Sequence, residues 1–242
     1  MSTTTRRDRL RIQMSHDVRA TAREIITKQG VEALTLAEIA RRVGVTPAAL
    51  YRHFTDLADI VWHTAGDITD ELTRELQAAV DAEVATDFAA RLIAPTRVFR
   101  RWSLTHRHEF SLLFGTPTSA AGDAQADMTS EWVRKLAGVW GPVFVQLWAA
   151  RPYPILTDDE LDPRLRQQMT DYRDATGVEM PLGALVVMLS CWRSIYGQVA
   201  LEVFEHFAPL ITDQEPMFEL LMLELMSRMG LGADYRPPVA QT

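Results

Sequence analysis

Cysteine and long apolar runs are almost missing from this chain of 242 residues. Its one cysteine, Cys191, cannot form an internal disulfide, which favours the reducing cytoplasm over a secreted location. The longest apolar run, 181–192, falls well short of the ~20 residues that a membrane-spanning helix requires. The first residues are polar and basic and lack the apolar core of a secretory signal. We therefore predict a cytoplasmic protein that has no membrane partner.

Known catalytic and metal-binding patterns are missing as well. The chain has no G-x-S-x-G, no phosphate-binding glycine loop, no H-E-x-x-H and no cysteine–histidine zinc spacing. His106 and His108 are two positions apart, and at about 100° per helical residue their side chains point too far apart to chelate one ion. We predict that the protein is not an enzyme and binds no cofactor and no metal.

Strand signals are equally scarce, since the chain has no alternating run of β-branched residues and no Asn-Gly or Asp-Gly hairpin turn. Apolar residues instead recur every three or four positions along most of the chain, which predicts an all-α fold. The predicted helices cover 17–29, 36–43, a short segment from 47 onward, 57–85, 87–107, 131–150, 161–176, 182–207 and 215–229. The polar stretch 115–130 is predicted to be a loop.

Charge divides the chain into a basic beginning and an acidic remainder. Residues 1–64 carry ten basic and seven acidic side chains, a net charge of +3. Residues 65–242 carry a net charge of −10. A basic head on an acidic body indicates that the head meets an anion and that the body does not.

One short stretch, 35–54, has the pattern of two helices separated by a tight turn. Thr35 and Glu38 match the capping box T-x-x-E, which predicts the start of a short helix that ends at Val43. Gly44 follows, where the backbone can take a positive φ and turn sharply. The pattern predicts that a second helix begins directly after this turn.

The second helix of this stretch presents small and polar side chains. Thr46 is its predicted N-cap and Pro47 its first helical residue. Leu50 and Phe54 are expected to anchor the helix to the core. The side chains left for outside contacts are Ala48, Ala49, Tyr51, Arg52 and His53. Small residues let a helix enter a major groove, and hydroxyl and basic groups reach phosphates, so we interpret the pair as a DNA-binding helix-turn-helix rather than an ordinary corner between helices.

Segment 31–61 resembles the DNA-binding segment of the TetR family of bacterial transcription regulators. The family pattern is G-x-x-x-x-T-x-x-x-I-A-x-x-x-G-V-(S/T)-x-x-x-L-Y-x-H-F. It is matched in register by Gly30, Thr35, Ile39, Ala40, Gly44, Val45, Thr46, Leu50, Tyr51, His53 and Phe54. By position in this motif, the resemblance places Thr35, Thr46, Pro47, Ala48, Ala49, Tyr51, Arg52 and His53 at the DNA.

The resemblance implies an all-α homodimer. Its N-terminal three helices would bind a double-stranded DNA operator, and its larger C-terminal domain would bind a small-molecule effector and dimerise. We accordingly expect a helix-turn-helix DNA-binding domain over 1–60 and an effector-binding and dimerisation domain over 61–242.

The chain departs from the family pattern at Leu57, where the family usually has a lysine that contacts phosphate. Asp56 can still cap the helix that begins there. A basic N-terminal arm is the expected replacement for the lysine, through phosphate or minor-groove contacts. Its arginines are Arg6, Arg7, Arg9 and Arg11.

Segment 99–117 is similar to a TetR subgroup with a W-x-L-x-H-P-x-E-(Y/F)-x-L-L-(F/Y)-G segment, although Arg107 replaces the proline. Large rings on neighbouring helices hold backbones apart, and ligand sites are mostly apolar with a few polar groups. We therefore predict a pocket for an aromatic or lipophilic effector. Its rings are Phe99, Trp102, Phe110, Phe114, Trp132, Trp140, Phe144 and Trp148, and its polar groups are Gln146, Arg193 and Tyr196.

The last two predicted helices have apolar bands wide enough to bury more than one face, which predicts a dimer interface. Its residues are Leu189, Tyr196, Val203, Phe218, Leu221, Met222, Leu225 and Met229. Together the patterns predict a repressor that a lipophilic molecule releases from a pseudo-palindromic operator. Two alternatives stay open: a ligand-independent architectural DNA-binding protein, and a helical enzyme with a nucleic-acid-binding head.

Overall fold

The computed structural model describes residues 5–115 and 125–238. Within these residues the chain forms ten α-helices and no strand, which confirms the all-α prediction. The helices are α1 (Arg6–Gln29), α2 (Leu36–Val43), α3 (Pro47–Leu50), α4 (Leu57–Asp81), α5 (Phe88–Thr105), α6 (Arg107–Phe114), α7 (Gln125–Ala150), α8 (Pro163–Thr176), α9 (Leu182–Val203) and α10 (Glu215–Arg228).

Two helices begin earlier than the sequence indicated. Helix α1 begins at Arg6 because Thr5 and Asp8 form a complete capping box: the N–H of Asp8 donates to the Thr5 hydroxyl at 3.2 Å, and the N–H of Thr5 donates to the Asp8 carboxylate at 3.1 Å. Helix α7 begins at Gln125, so the predicted loop is wrong for residues 125–130. The rest of that predicted loop, 116–124, lies outside the described residues.

Helix α9 carries the longest apolar stretch of the described chain. By length and composition alone it could cross a membrane, with a mean hydropathy of 1.4 over its most apolar window, but the core helix of a globular protein passes the same test. The helix ends at Val203, four residues before its predicted end. Glu205 takes a φ of 58° just beyond, and a left-handed residue cannot continue a right-handed helix.

The helices group into two compact units according to their internal contacts. One unit comprises Met1–Thr73 and Thr105–Lys135, and the other comprises Arg74–Leu104 and Leu136–Thr242. Helix α4 is continuous across the predicted domain boundary after residue 60. That boundary stays a prediction. The first unit includes α6 as well as the helix-turn-helix.

A buried apolar core supports the first three helices and the start of α4. Its side chains are Val18, Ala22, Ile25, Ile26, Leu34, Ile39, Ala40, Leu50, Phe54, Ile60 and Val61, all almost fully buried. Helix α3 has a single turn, too short to be stable alone in water. Its position therefore depends on packing against this core.

Ion pairs tie α5 to α9 and α10 within the second unit. The Nε of Arg100 donates to the buried carboxylate of Glu202 at 2.8 Å, and its guanidinium lies 5.1 Å from the centre of the Phe218 ring. Arg97 makes a bidentate pair with Glu219 at 2.8 and 2.7 Å. These contacts give α5 a defined place against the last two helices.

Candidate nucleic-acid interface

The turn between α2 and α3 is closed at Gly44, which has a φ of 79° and a ψ of 31°. Its N–H and that of Val45 both donate to the carbonyl of Ala40 at 2.9 Å. A Cβ at Gly44 would meet no atom within 4 Å, so the left-handed backbone and not crowding favours glycine here. The predicted sharp turn with positive φ is confirmed.

The start of α2 forms only half of its predicted capping box. The N–H of Glu38 donates to the Thr35 hydroxyl at 3.2 Å. The Glu38 carboxylate instead accepts hydrogen bonds from Arg41 at 2.8 Å and Arg42 at 2.6 Å. These bonds, with Arg41 as the larger influence, lower the pKa of Glu38 to about 2. One carboxylate thus compensates part of the positive charge of the head.

Two buried anchors hold the short helix α3. Leu50 is 1% exposed and Phe54 is 4% exposed, as expected for core anchors. The N–H groups of His53 and Phe54 both donate to the Leu50 carbonyl, at 2.8 and 3.0 Å, and extend the helical turn beyond α3. Thr46 is the N-cap residue of α3, as predicted, although its side chain makes no capping hydrogen bond.

Most side chains predicted to meet DNA are exposed. Thr35, Thr46, Pro47, Ala48, Tyr51 and Arg52 are exposed, whereas Ala49 and His53 are half-buried. Tyr51 is 58% exposed although it is aromatic, which is unusual for a ring without an outside partner. The Nδ1 atom of His53 is buried and has no hydrogen-bond partner among the described residues. Thr46, Tyr51, Arg52 and His53 thus bring hydroxyl, guanidinium and imidazole groups to α3 and its two ends.

The start of α4 is capped as the sequence indicated. The N–H of Asp59 donates to the Asp56 carboxylate at 2.8 Å, and the N–H of Thr55 donates to the Asp59 carboxylate at 2.8 Å. Leu57 is half-buried and, being apolar, offers no donor to a phosphate.

The basic N-terminal segment forms the first turns of α1 rather than a separate segment that precedes the first helix. Arg6, Arg9 and Arg11 are exposed on this helix, and the side chain of Arg7 lies outside the described part. At about 100° per residue, Arg6 and Arg9 lie on neighbouring parts of one face of α1, whereas Arg11 points away from that face.

Four aromatic rings meet in the second unit: Phe99 of α5, Trp140 of α7, and Trp192 and Tyr196 of α9. Ring centres of neighbouring members lie 5.6 to 6.5 Å apart. The indole N–H of Trp140 donates to the Thr96 hydroxyl at 3.2 Å. Sequence reasoning missed Trp192, although its i, i+4 spacing to Tyr196 on an apolar helix was a usable signal.

The other predicted pocket rings belong to both units. Trp102 and Phe144 are buried in the second unit, where Trp148 packs edge-on against Tyr153 at 5.2 Å. Phe110, Phe114 and Trp132 belong to the first unit. There Phe110 lies 5.1 Å from Phe114, and Trp132 lies 6.3 Å from Trp62. Five of the eight predicted rings thus belong to the second unit and three to the first, and the single pocket stays a prediction.

Two of the predicted polar groups do not join the four-ring cluster. Gln146 is exposed and accepts a hydrogen bond from Arg91 at 2.7 Å, and Arg193 is exposed. The reason is helical phase, since each residue is turned away from the apolar side of its helix. Tyr196 does lie beside the rings, and burial raises the pKa of its phenol.

The predicted dimer interface needs a correction. Several of its side chains pack almost fully inside one protomer and are not available to a second one: Val203, Phe218, Met222, Leu225 and Met229. The exposed apolar row of α10 is instead Met217, Leu220 and Leu223. Leu189, Tyr196 and Leu221 are half-buried. A band this wide has two apolar sides, and only the packing shows which side faces the protomer's own core.

Two protein-family models match the chain. The model described as bacterial regulatory proteins, tetR family, matches residues 18–61, and the model described as tetracyclin repressor-like, C-terminal domain, matches residues 92–225. Both describe regulators and not enzymes, which confirms the prediction that the chain is not an enzyme.

Similar individual proteins include two mycobacterial regulators and one solved structure. The HTH-type transcriptional regulators Rv1816 of Mycobacterium tuberculosis (strain ATCC 25618 / H37Rv) and Mb1846 of Mycobacterium bovis (strain ATCC BAA-935 / AF2122/97) are each 25% identical over 215 residues, covering 88% of this chain and 91% of their own. The crystal structure of putative regulatory protein SCO4313 has a TM-score of 0.69 and 24% identity, and covers 92% of this chain and 100% of its own, which supports the fold.

Proposed function

Because the chain belongs to the TetR family of bacterial transcription regulators, we propose that it is a cytoplasmic, ligand-responsive repressor. As a homodimer it would bind a pseudo-palindromic operator, and an aromatic or lipophilic molecule would release it. Residues 1–60 bind DNA in this proposal, and residues 61–242 bind the effector and dimerise. The observation that carries the proposal is the exposed polar surface around α3, held on the buried anchors Leu50 and Phe54.

The surface around α3 supports contacts of two kinds. The hydroxyls of Thr35, Thr46 and Tyr51 are exposed donors that suit phosphate oxygens, which position a protein on DNA without reading its sequence. In this proposal Arg52 and His53 reach base edges, while Pro47, Ala48 and Ala49 let the backbone come close. Arg6, Arg7 and Arg11 add phosphate contacts from α1 and replace the missing lysine at Leu57.

The effector site that we propose is the four-ring cluster Phe99, Trp140, Trp192 and Tyr196. Trp140, Trp192 and Tyr196 are half-buried, so a flat apolar molecule can reach their faces from outside. Thr96 and Tyr196 offer hydroxyls for orientation. The effector must bind the DNA-free conformation more tightly than the DNA-bound one, because a ligand with equal affinity for both does not shift the equilibrium between them.

The dimer that we propose uses the exposed row Met217, Leu220 and Leu223 of α10, with Leu189 and Tyr196 of α9. Adjacent exposed leucine and methionine side chains are what a self-complementary interface requires, whereas single exposed apolar residues are common on monomers. Two α3 helices in such a dimer would meet half-sites about 34–36 Å apart or a multiple of that distance.

Selection of duplexes from a random DNA library on the purified chain tests the DNA-binding part. We expect enrichment of a palindromic sequence, Tyr51→Phe to weaken all duplexes about equally, and Arg52→Ala to lose ~1–3 kcal/mol of discrimination at one base pair. Arg6→Ala or Arg11→Ala should each make the negative slope of log affinity against log salt concentration less steep by ~1. Enrichment of no sequence would contradict operator recognition.

Indole fluorescence tests the effector part, with Trp140→Phe as the control that removes one reporter from the cluster. We expect some member of a panel of lipophilic compounds to change the emission and to weaken operator binding together. The direct ring-to-ring contacts of Phe99, Trp140 and Trp192 also fit a filled core, which favours a ligand-independent DNA-binding regulator as the second candidate. A panel that changes neither signal would decide for that candidate.

A further inference from the structure

Glu109 of α6 is a buried acid whose hydrogen-bond donors lie on α1. Its side chain is 1% exposed. Its Oε1 accepts from the Nε of Arg23 at 3.0 Å and from the Thr27 hydroxyl at 2.9 Å. Arg23 and Thr27 are one helical turn apart and share one face of α1, so a single carboxylate holds that face at two points. Arg23 also donates to Glu71 of α4.

A second contact joins the start of α6 to the end of α1. Gly30 ends α1 with a φ of 81°, and a Cβ at this position would lie 3.4 Å from the Nδ1 atom of His108. His108 therefore packs directly against the glycine that terminates α1. Consecutive residues of α6, His108 and Glu109, thus contact the last two turns of α1.

The charge of Arg23 stabilises the buried carboxylate of Glu109. A carboxylate removed from water is costly unless charged donors replace the water. Arg23 remains charged: burial acts to lower its pKa, but the hydrogen bonds to Glu109 and Glu71 more than offset this, and its pKa is raised. A guanidinium between two acids on two different helices can satisfy both only if α1, α4 and α6 keep their relative positions.

We propose that Glu109 is a positioning residue for DNA binding, and that α6 is part of the DNA-binding head together with residues 1–60. By holding Arg23 and Thr27, Glu109 fixes α1, which packs against α2 and thereby sets the presentation of the α3 surface. The inference rests on the DNA-binding part of the proposed function and is independent of any effector. It extends the head beyond the segment that carries the family motif.

Glu109→Gln tests this role, because glutamine keeps the shape and still accepts from Thr27 but loses the charge that holds Arg23. The matched control is Asp67→Asn, since Asp67 is a half-exposed acid that accepts from Arg19 at 2.7 Å and ties α1 to α4 without α6. The probe is a fluorescein-labelled duplex enriched on the wild-type chain. Anisotropy is measured well below the melting temperature, where circular dichroism shows each variant to be folded.

We expect Glu109→Gln to bind this duplex about tenfold more weakly, and Asp67→Asn to stay within about twofold of the wild type. The double variant Arg23→Met with Glu109→Gln separates positioning from stability. Removing both charges should restore the melting temperature that either single change lowers, because no unpaired charge stays buried. It should not restore DNA affinity, because the link between α6 and α1 is still missing.

Wild-type or tighter DNA binding by folded Glu109→Gln overturns the proposal, as does a double variant that regains affinity together with its melting temperature. Hydrogen exchange covers the case in which the wild-type chain enriches no duplex. Faster exchange of α1 amides between Arg23 and Gly30 in Glu109→Gln, with no change in Asp67→Asn, supports the positioning role. Unchanged exchange across α1 to α3 overturns it.

Discussion

Replacing Gly44 with alanine should destabilise the protein although nothing crowds the position. The added methyl group meets no atom within 4 Å, so the whole cost comes from holding an L-residue at a φ of 79°. That cost is about 1–2 kcal/mol. Alanine also lowers the conformational entropy of the unfolded chain, which offsets about 0.4–1 kcal/mol of this cost. The expected net loss is about 1 kcal/mol, or a melting temperature lower by about 2–4 °C for a chain of this size.

Gly66 provides the matched control, because the same substitution there should act in the opposite direction. It lies inside helix α4, and its Cβ would also meet no atom within 4 Å. Alanine is favoured over glycine in a helix interior by about 0.5–1 kcal/mol, so Gly66→Ala should raise the melting temperature by about 1–4 °C.

Thermal unfolding followed by circular dichroism measures both variants under one set of conditions. Two identical chemical changes, each without a steric clash, should shift the melting temperature in opposite directions. If Gly44→Ala stabilises the protein as Gly66→Ala does, then Gly44 does not adopt the left-handed conformation, and the turn that presents α3 is built differently.

Two further outcomes are expected. Leu220→Asp should convert the proposed dimer to monomer in sedimentation, since the Leu220 side chain is 48% exposed in one protomer. The control Val84→Asp, at a site that is 69% exposed, should leave the dimer intact. A dimeric Leu220→Asp variant would place the interface elsewhere. Two arginines lower the pKa of Glu38 from 4.5 to about 2, so its contribution to stability is complete above about pH 4.5 and is lost as the pH falls toward about 2. Glu38→Gln should remove this part of the stability–pH curve, and coincident curves would refute the pairing.

The helix-turn-helix could be predicted almost completely from the sequence, because its devices act over a few residues. The cap at Thr35, the turn at Gly44 and the anchors Leu50 and Phe54 depend on neighbours within one or two helical turns. The details of this motif that the sequence predicted wrongly also depend on residues close in the chain. The Glu38 carboxylate had two arginines within reach on the next turn and bonded to them instead of to the backbone.

Features that depend on distant parts of the chain were decided only by the tertiary structure. Glu109 and Glu202 are both buried acids, and their arginine partners lie 86 and 102 positions away, beyond the reach of any spacing rule. The wide apolar bands of α9 and α10 were visible in the sequence, but helical periodicity describes a face only relative to its own axis. Which side of such a helix meets its own core, and which stays exposed, depends on the elements packed against it.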